Sequence, residues 1–163
     1  DIMQREGLKV KLPAPSHLGI VVKDLEQALR YYESQFGWGP FRSAEMDMKS
    51  YDYHFRGRPS TARVKVAAGY CGSMPIELFQ AVEGDSIYAE FFRDKGEGLH
   101  HLGFVVEDFD GTLAALIKEG LEPIAHGKSP QGSFAYLNTD KVGGVVFEIL
   151  SYSPFGRQRD RAA

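Results

Sequence analysis

"HLGIVV" at residues 17–22 and "HLGFVV" at residues 101–106 are nearly the same six residues. Each is followed by a short acidic step, Lys23-Asp24 in the first and Glu107-Asp108 in the second, and then by a helix-like pattern. Near identity continued by the same order of elements marks an internal duplication. In the first copy Asp24 is placed to cap a helix with Gln27 as its reciprocal partner, and Gly37 to end it. Leu25, Ala28, Leu29, Tyr32 and Phe36 recur at helical spacing and form its apolar side. The second helix starts near Asp108 or Asp110, buries Leu113, Leu116 and Ile117, and stops at Gly120.

After each helix come short β-rich runs separated by glycine and proline. The first half has Tyr51, Tyr53 and Phe55, then "ARVKVAA" at 62–68 and "PIELFQ" at 75–80; the second has "SFAYLNT" at 133–139 and "GVVFEIL" at 144–150. Glu77 in "IELFQ" corresponds to Glu148 in "FEIL", and the longer distance from His to Glu in the first copy places an insertion around residues 42 to 60. The expectation is an α+β fold with one domain over 1–163. It comprises a βαβββ module at 15–83, a helical linker at 84–98 and a second module at 99–152. Neither module has enough apolar surface to stand alone.

The totals limit the function. With 163 residues, 43% hydrophobic, 25% charged and a net charge of -3, the chain is that of a globular protein with no basic surface for nucleic acid. Cys71 is the single cysteine, so neither an internal disulfide nor a cysteine-rich zinc cluster is expected. "DIMQREGLKVKLPAPS" has mixed charges and no apolar leader, and no stretch has membrane-spanning length. A cytoplasmic protein with no membrane partner is the default expectation.

Strand alternation sorts the histidines. His101, Gly103 and Val105 share one face; His100, Leu102, Phe104 and Val106 share the other. The duplicate strand sets His17, Gly19 and Val21 against Leu18, Ile20 and Val22. The greasier faces belong under the helices, which leaves His17 and His101 on the concave side and His100 outside. Glu77 shares a face with Phe79, and Glu148 with Val146, although period alone does not say which face looks inward.

A pseudo-twofold axis would bring His17, Glu77, His101 and Glu148 to one point. Two imidazoles and two carboxylates suit a borderline divalent ion such as Zn, Ni, Co, Mn or Fe(II), with water in its remaining positions. Two carboxylates buried together without a cation would be costly. His54 has no repeat partner and is expected at the surface of the insertion, whereas His126 sits in "AHGKSPQGS", a glycine-rich stretch able to close over a pocket.

These residues resemble the vicinal oxygen chelate superfamily, which includes glyoxalase I, methylmalonyl-CoA epimerase, extradiol dioxygenases and fosfomycin-resistance proteins. "HLGIVVKDLEQALRYYESQFG", "IELFQAVEGDS", "GEGLHHLGFVVEDFDGTLAALIKEG", "AHGK" and "GGVVFEIL" are similar, in the same order, to the methylmalonyl-CoA epimerase branch and its glyoxalase-like relatives, from residue 15 to 151. The resemblance implies paired βαβββ modules forming a half-open eight-stranded barrel around a metal, in a homodimer. It puts the ligands at His17, Glu77, His101 and Glu148. Epimerases often have Gln at the second position, so Glu77 is the glyoxalase-like choice. Where that branch has an acidic stretch before the third strand, "HFRGRPSTARV" is basic and polar, and the "GWGPF" turn at 37–41 also departs from it.

The chemistry implied is a divalent-metal isomerase or epimerase removing a proton next to a metal-bound carbonyl of a small acyl thioester, with Glu148 or Glu77 as base. Return of the proton to the neighbouring carbon gives instead a lactoylglutathione lyase. Two other classes stay open: an extradiol-type dioxygenase on a two-His-one-carboxylate iron, helped by Tyr136 or His126, and a metal-free binding protein. Arg56, Arg58, Arg63, Lys65 and Lys128 are candidate cations for an acyl-CoA, against a plain reading as solvated charge. Tyr51, Tyr53 and Phe55 either cover a substrate or pack on the sheet, packing being favoured.

Overall fold

The computed structural model describes residues 10–156; the first nine residues of the N-terminal stretch searched for a leader lie outside the described residues, as do 157–163. The elements run β1 (His17–Val21), α1 (Leu25–Phe36), β2 (Arg42–Asp47), β3 (His54–Phe55), β4 (Arg58–Pro59), β5 (Arg63–Cys71), β6 (Met74–Glu83) and α2 (Ile87–Lys95). They continue with β7 (Gly98–Val105), α3 (Phe109–Lys118), β8 (Pro123–Ser129), β9 (Gly132–Leu137) and β10 (Val146–Leu150). Among the described residues all strands join one mixed sheet in the order β2-β5-β6-β1-β7-β10-β9-β8-β3-β4, curled into a half-barrel with three helices. This is the expected α+β class, with ten strands rather than eight. The two extra strands come from the insertion, which begins only after residue 47 because β2 occupies 42–47 and pairs with β5. Its hairpin β3–β4 crosses to the other half and extends β8.

The helices form where their caps predict. Asp24 accepts the Gln27 amide and Gly37, at φ 66, closes α1 by donating to Glu33, the left-handed ending that glycine takes without strain. Asp108 caps α3 by accepting the Gly111 amide, and Ser86 caps α2 by accepting that of Ala89. Each outer helix covers one half of the sheet. Leu25, Ala28 and Leu29 of α1 lie over Ile20, Val22, Ala67 and Leu78, while Leu113 and Leu116 of α3 lie over Leu102, Phe104, Leu137 and Ile149. Complete burial of a Leu78 or an Ile149 contributes about 1.5–3 kcal/mol. Phe36 and Ile117, expected on these apolar sides, are instead about half exposed. Both stand on the last turn of their helix.

The concave face carries the third cluster, including Val21, Val64, Phe79, Tyr88, Phe134, Tyr136 and Leu150. Tyr53 of the insertion is buried in it and accepts the Ile87 amide at 3.1 Å, so this ring packs, as favoured. Tyr51 and Tyr53 are not in a strand; a 3-10 turn over 48–51 and left-handed backbone at Asp52 precede β3.

Candidate metal centre

The centre of the sheet is the antiparallel pair β1–β7, in which His17 faces Gly103, Leu18 faces Leu102 and Gly19 faces His101. This register is two-fold symmetric, and it explains the glycine two residues after each histidine. A Cβ on Gly19 would overlap the His101 ring, and one on Gly103 would overlap the His17 ring. Each glycine therefore makes room for the imidazole of the other half. The parallel neighbours bring in the carboxylates, since β6 sets Glu77 beside Gly19 and β10 sets Glu148 beside Gly103. Alternation then points both glutamates inward with Phe79, Val146 and Leu150, all members of the concave cluster.

All four side chains are buried, and one ligand atom from each lies within 4.8 Å of every other. His17 Nε2 is 3.2 Å from Glu148 Oε2 and 3.3 Å from Glu77 Oε2. His101 Nε2 is 3.4 Å from Glu148 Oε2 and 3.8 Å from Glu77 Oε2, and it has no hydrogen-bond partner among the described residues. Ligands held ~2.1 Å from a cation stand roughly 3 Å apart when adjacent and roughly 4 Å apart when opposite. The donor set, its spacing and the unpartnered buried Nε2 all fit a divalent cation.

Without a cation, a proton on His17 offsets part of the carboxylate charge. Burial works to lower the His17 pKa, but hydrogen bonds and charge from Glu148 and Glu77 outweigh it and raise the pKa to about 10. Burial pushes Glu77 upward, yet the His101 and His17 imidazoles bring it down to about 2. A metal ion would displace the His17 proton.

Each histidine has a partner behind it. His17 Nδ1 lies 2.7 Å from Ser16 Oγ, whose hydroxyl donates to the Gly103 carbonyl at 3.1 Å. His101 Nδ1 lies 2.8 Å from His100 Nδ1. His100 was expected on the outer face, and here alternation fails. A β-bulge shifts the register so that Gly19 faces His101 but Ile20 faces Leu99, leaving His100 unopposed and buried among Tyr88, Phe91 and Tyr136. Burial, with the neighbouring His101, holds the His100 pKa well below the usual histidine value.

Glu77 and Glu148 stand in the wall of an open cavity of about 370 Å³. Its lining is mostly apolar and aromatic, with Val66, Phe79, Phe134 and Leu150 among it. Tyr88 and Tyr136, which sequence reasoning did not place together, also line it and are hydrogen-bonded through their hydroxyls. Burial, reinforced by Glu148, raises both phenols well above their usual range, so both stay neutral. Among the described basic residues, the one in this wall is Arg42, not the five proposed for an acyl-CoA. Arg56 is held by Glu90, and Arg63 by Glu45 and Glu83. His126 does not close over the cavity: it sits in β8, stacked on His54 across the β3 pairing with ring centroids 4.9 Å apart. Tyr152 and Pro154 do line the cavity, and the adjoining Phe155 packs on the His17 ring.

Residues 16–136 match the model of the glyoxalase/bleomycin resistance protein/dioxygenase superfamily. The chain belongs to that superfamily. Among curated relatives of this superfamily member, the uncharacterized protein YqjC of Bacillus subtilis (strain 168) is 26% identical over 151 residues, covering 88% of this chain and 94% of its own. Methylmalonyl-CoA epimerase from Mycobacterium tuberculosis has a similar structure, with TM-score 0.62, 20% identity, and coverage of 90% of this chain and 96% of its own. A Streptomyces coelicolor methylmalonyl-CoA epimerase variant in complex with 2-nitronate-propionyl-CoA matches with TM-score 0.63 at 19% identity, over 88% of this chain and 99% of its own. At these identities the structural neighbours speak to the superfamily fold alone.

Proposed function

We propose that His17, Glu77, His101 and Glu148 bind one divalent cation (Zn, Co, Ni, Mn or Fe) and that the protein is an isomerase or epimerase acting at the carbon beside the carbonyl of a small acyl thioester. The observation that carries this reading is the meeting of two wall-lining carboxylates with two buried imidazoles, one of whose ring nitrogens has no partner. A bound cation would polarise the substrate carbonyl and stabilise the charge left when the adjacent C–H loses its proton. Glu148 or Glu77, facing the cavity, accepts that proton; a proton delivered by the other glutamate to the opposite face of the same carbon completes epimerisation, whereas return of the proton to the neighbouring carbon gives a glyoxalase-type isomerisation. Phe79, Phe134 and Leu150 keep water from competing for it, and Tyr88 and Tyr136 offer neutral hydroxyls beside it. The similarity in fold to epimerases of acyl-CoA thioesters supports a thioester over other carbonyl compounds, with Arg42 as the cation facing the cavity.

The test joins metal analysis to solvent-deuterium exchange, screened over methylmalonyl-CoA and the methylglyoxal-glutathione adduct. The expected result is one bound divalent ion and exchange at the α-carbon of methylmalonyl-CoA. Glu148→Gln should slow exchange by ~10²-fold or more while retaining most of the metal. Undiminished exchange would pass the base role to Glu77, and failure to take up any divalent ion would leave a small-molecule binding protein.

A further inference from the structure

We propose that His100 is a positioning residue that holds the proton of His101 on Nδ1 and so aims the Nε2 lone pair of His101 at the cluster, an inference that rests on reading the cluster as a cation site. In a regular strand the side chains of neighbouring residues leave on opposite faces and their rings do not meet. The bulge at His100 removes that separation, and the two Nδ1 atoms come to 2.8 Å with the ring planes at 89°. Two ring nitrogens at that distance need one N–H and one lone pair between them.

Two assignments exist, and the other nitrogen of His101 decides between them. If His100 donated, a neutral His101 would have to carry its hydrogen on Nε2, a fully buried atom with no acceptor in hydrogen-bonding geometry among the described residues. A buried donor left unpaired is costly, because it gives up water without gaining an acceptor. If His101 donates, a neutral His101 has its lone pair on Nε2, 3.4 Å from Glu148 Oε2 and 3.8 Å from Glu77 Oε2, which is the state a metal ligand needs. The structure also gives His100 a fixed seat for this task. Its ring is 1% exposed and meets Tyr88, Phe91 and Tyr136 at centroid distances of 5.5, 5.0 and 5.8 Å. His17 gets the equivalent service from Ser16, whose hydroxyl proton is committed to the Gly103 carbonyl and which therefore accepts from Nδ1.

The test has two arms. Nitrogen-15 NMR of histidine-labelled, metal-free protein should find a hydrogen on His101 Nδ1 and the His100 hydrogen on Nε2; a bare Nδ1 on His101 overturns the proposal. In the second arm Co²⁺ is titrated into the wild type, His100→Phe and His100→Asn. His100→Phe removes the acceptor and should weaken Co²⁺ binding roughly 10- to 100-fold with a changed visible spectrum, whereas His100→Asn, whose amide oxygen reaches the place of Nδ1, should restore both. Wild-type affinity and spectrum in His100→Phe overturn the proposal. Should His100→Phe fail to fold, the NMR of the wild type and the affinity of His100→Asn decide. Should the wild type itself take up no Co²⁺, the cation reading fails, while the NMR arm still reports where the His101 proton sits.

Discussion

His17 and His101 occupy equivalent positions on the two central strands, each opposite the other's glycine, yet the two rings are held differently. β1 is regular there, and His17 leans on a serine hydroxyl and on Phe155 of the C-terminal segment. β7 is bulged, and His101 is enclosed by His100, Phe79 and Tyr136. The backbone register has kept the two-fold relation that the ligand geometry needs. The supporting side chains have diverged, so one imidazole is walled into the core and the other borders the segment beside the cavity mouth. The difference teaches that symmetry is enforced where four ligand atoms must meet and is relaxed one layer back.

Acid–base behaviour of the metal-free protein tests the shared part of that comparison and should show the largest effect. The His17 pKa is raised from the ordinary 6.5 to about 10, so its stabilisation is fully present below pH 6.5 and is lost as pH rises toward 10. The Glu77 pKa is lowered from 4.5 to about 2, so its contribution is present above pH 4.5 and is lost as pH falls toward 2. Unfolding free energy in urea and chelator should therefore be highest between these limits and fall on the alkaline side by on the order of a few kcal/mol. A saturating divalent ion should remove the alkaline fall and release a proton on binding at neutral pH, readable by calorimetry in buffers of different ionisation enthalpy. An alkaline fall of the same size with metal bound would mean that the ion does not share the site of the His17 proton.

The unequal support of the two rings is exposed by Gly19→Ala and Gly103→Ala. Each added methyl must displace the facing imidazole, and overpacking of this kind costs about 1–3 kcal/mol. Gly19→Ala pushes against His101, which is backed by the buried rings of Phe79 and Tyr136; Gly103→Ala pushes against His17, which is backed by the partly exposed Phe155 of the C-terminal segment, a neighbour better able to shift. Gly19→Ala should have the larger loss of stability in denaturant unfolding, and both should weaken metal uptake. Equal losses would show that His17 is as tightly enclosed as His101.

How far the sequence could be read follows the same division. The duplication exposed His17 and His101, and plain alternation put Glu77 and Glu148 on definite faces, because β1, β6 and β10 keep a strict period near the site. His100 escaped because a bulge is a property of strand pairing and no residue type announces it. Tyr51, Tyr53 and Phe55 alternate like a strand, but Asp52 and Arg56 have φ of 44° and 49°, and a chain that turns twice in six residues cannot continue one. β8, "PIAHGKS", pairs with both β9 and β3, but its sequence has no apolar period to reveal it. Arg42 reaches the cavity only because β2 pairs with β5 in a register that sets it opposite Ala68, and such non-local registers are not encoded in a local pattern.

The smallest effect belongs to the element furthest from this symmetry. The β3–β4 hairpin is tied to α2 by Arg56, which donates twice to Glu90 at 2.7 Å, and by Tyr53, whose hydroxyl accepts the Ile87 amide. The ion pair is largely exposed on its arginine side, so Arg56→Ala should cost only about 0.2–1 kcal/mol, a fall in Tm of at most ~4 °C, and the difference from wild type should shrink in high salt. Tyr53 stays in the core and keeps Tyr51 in the cavity wall, so Co²⁺ affinity should not change. A variant that lost Co²⁺ affinity while keeping its Tm would show that the hairpin acts on the cluster from a distance, and the separation drawn between the central strands and the insertion would no longer hold.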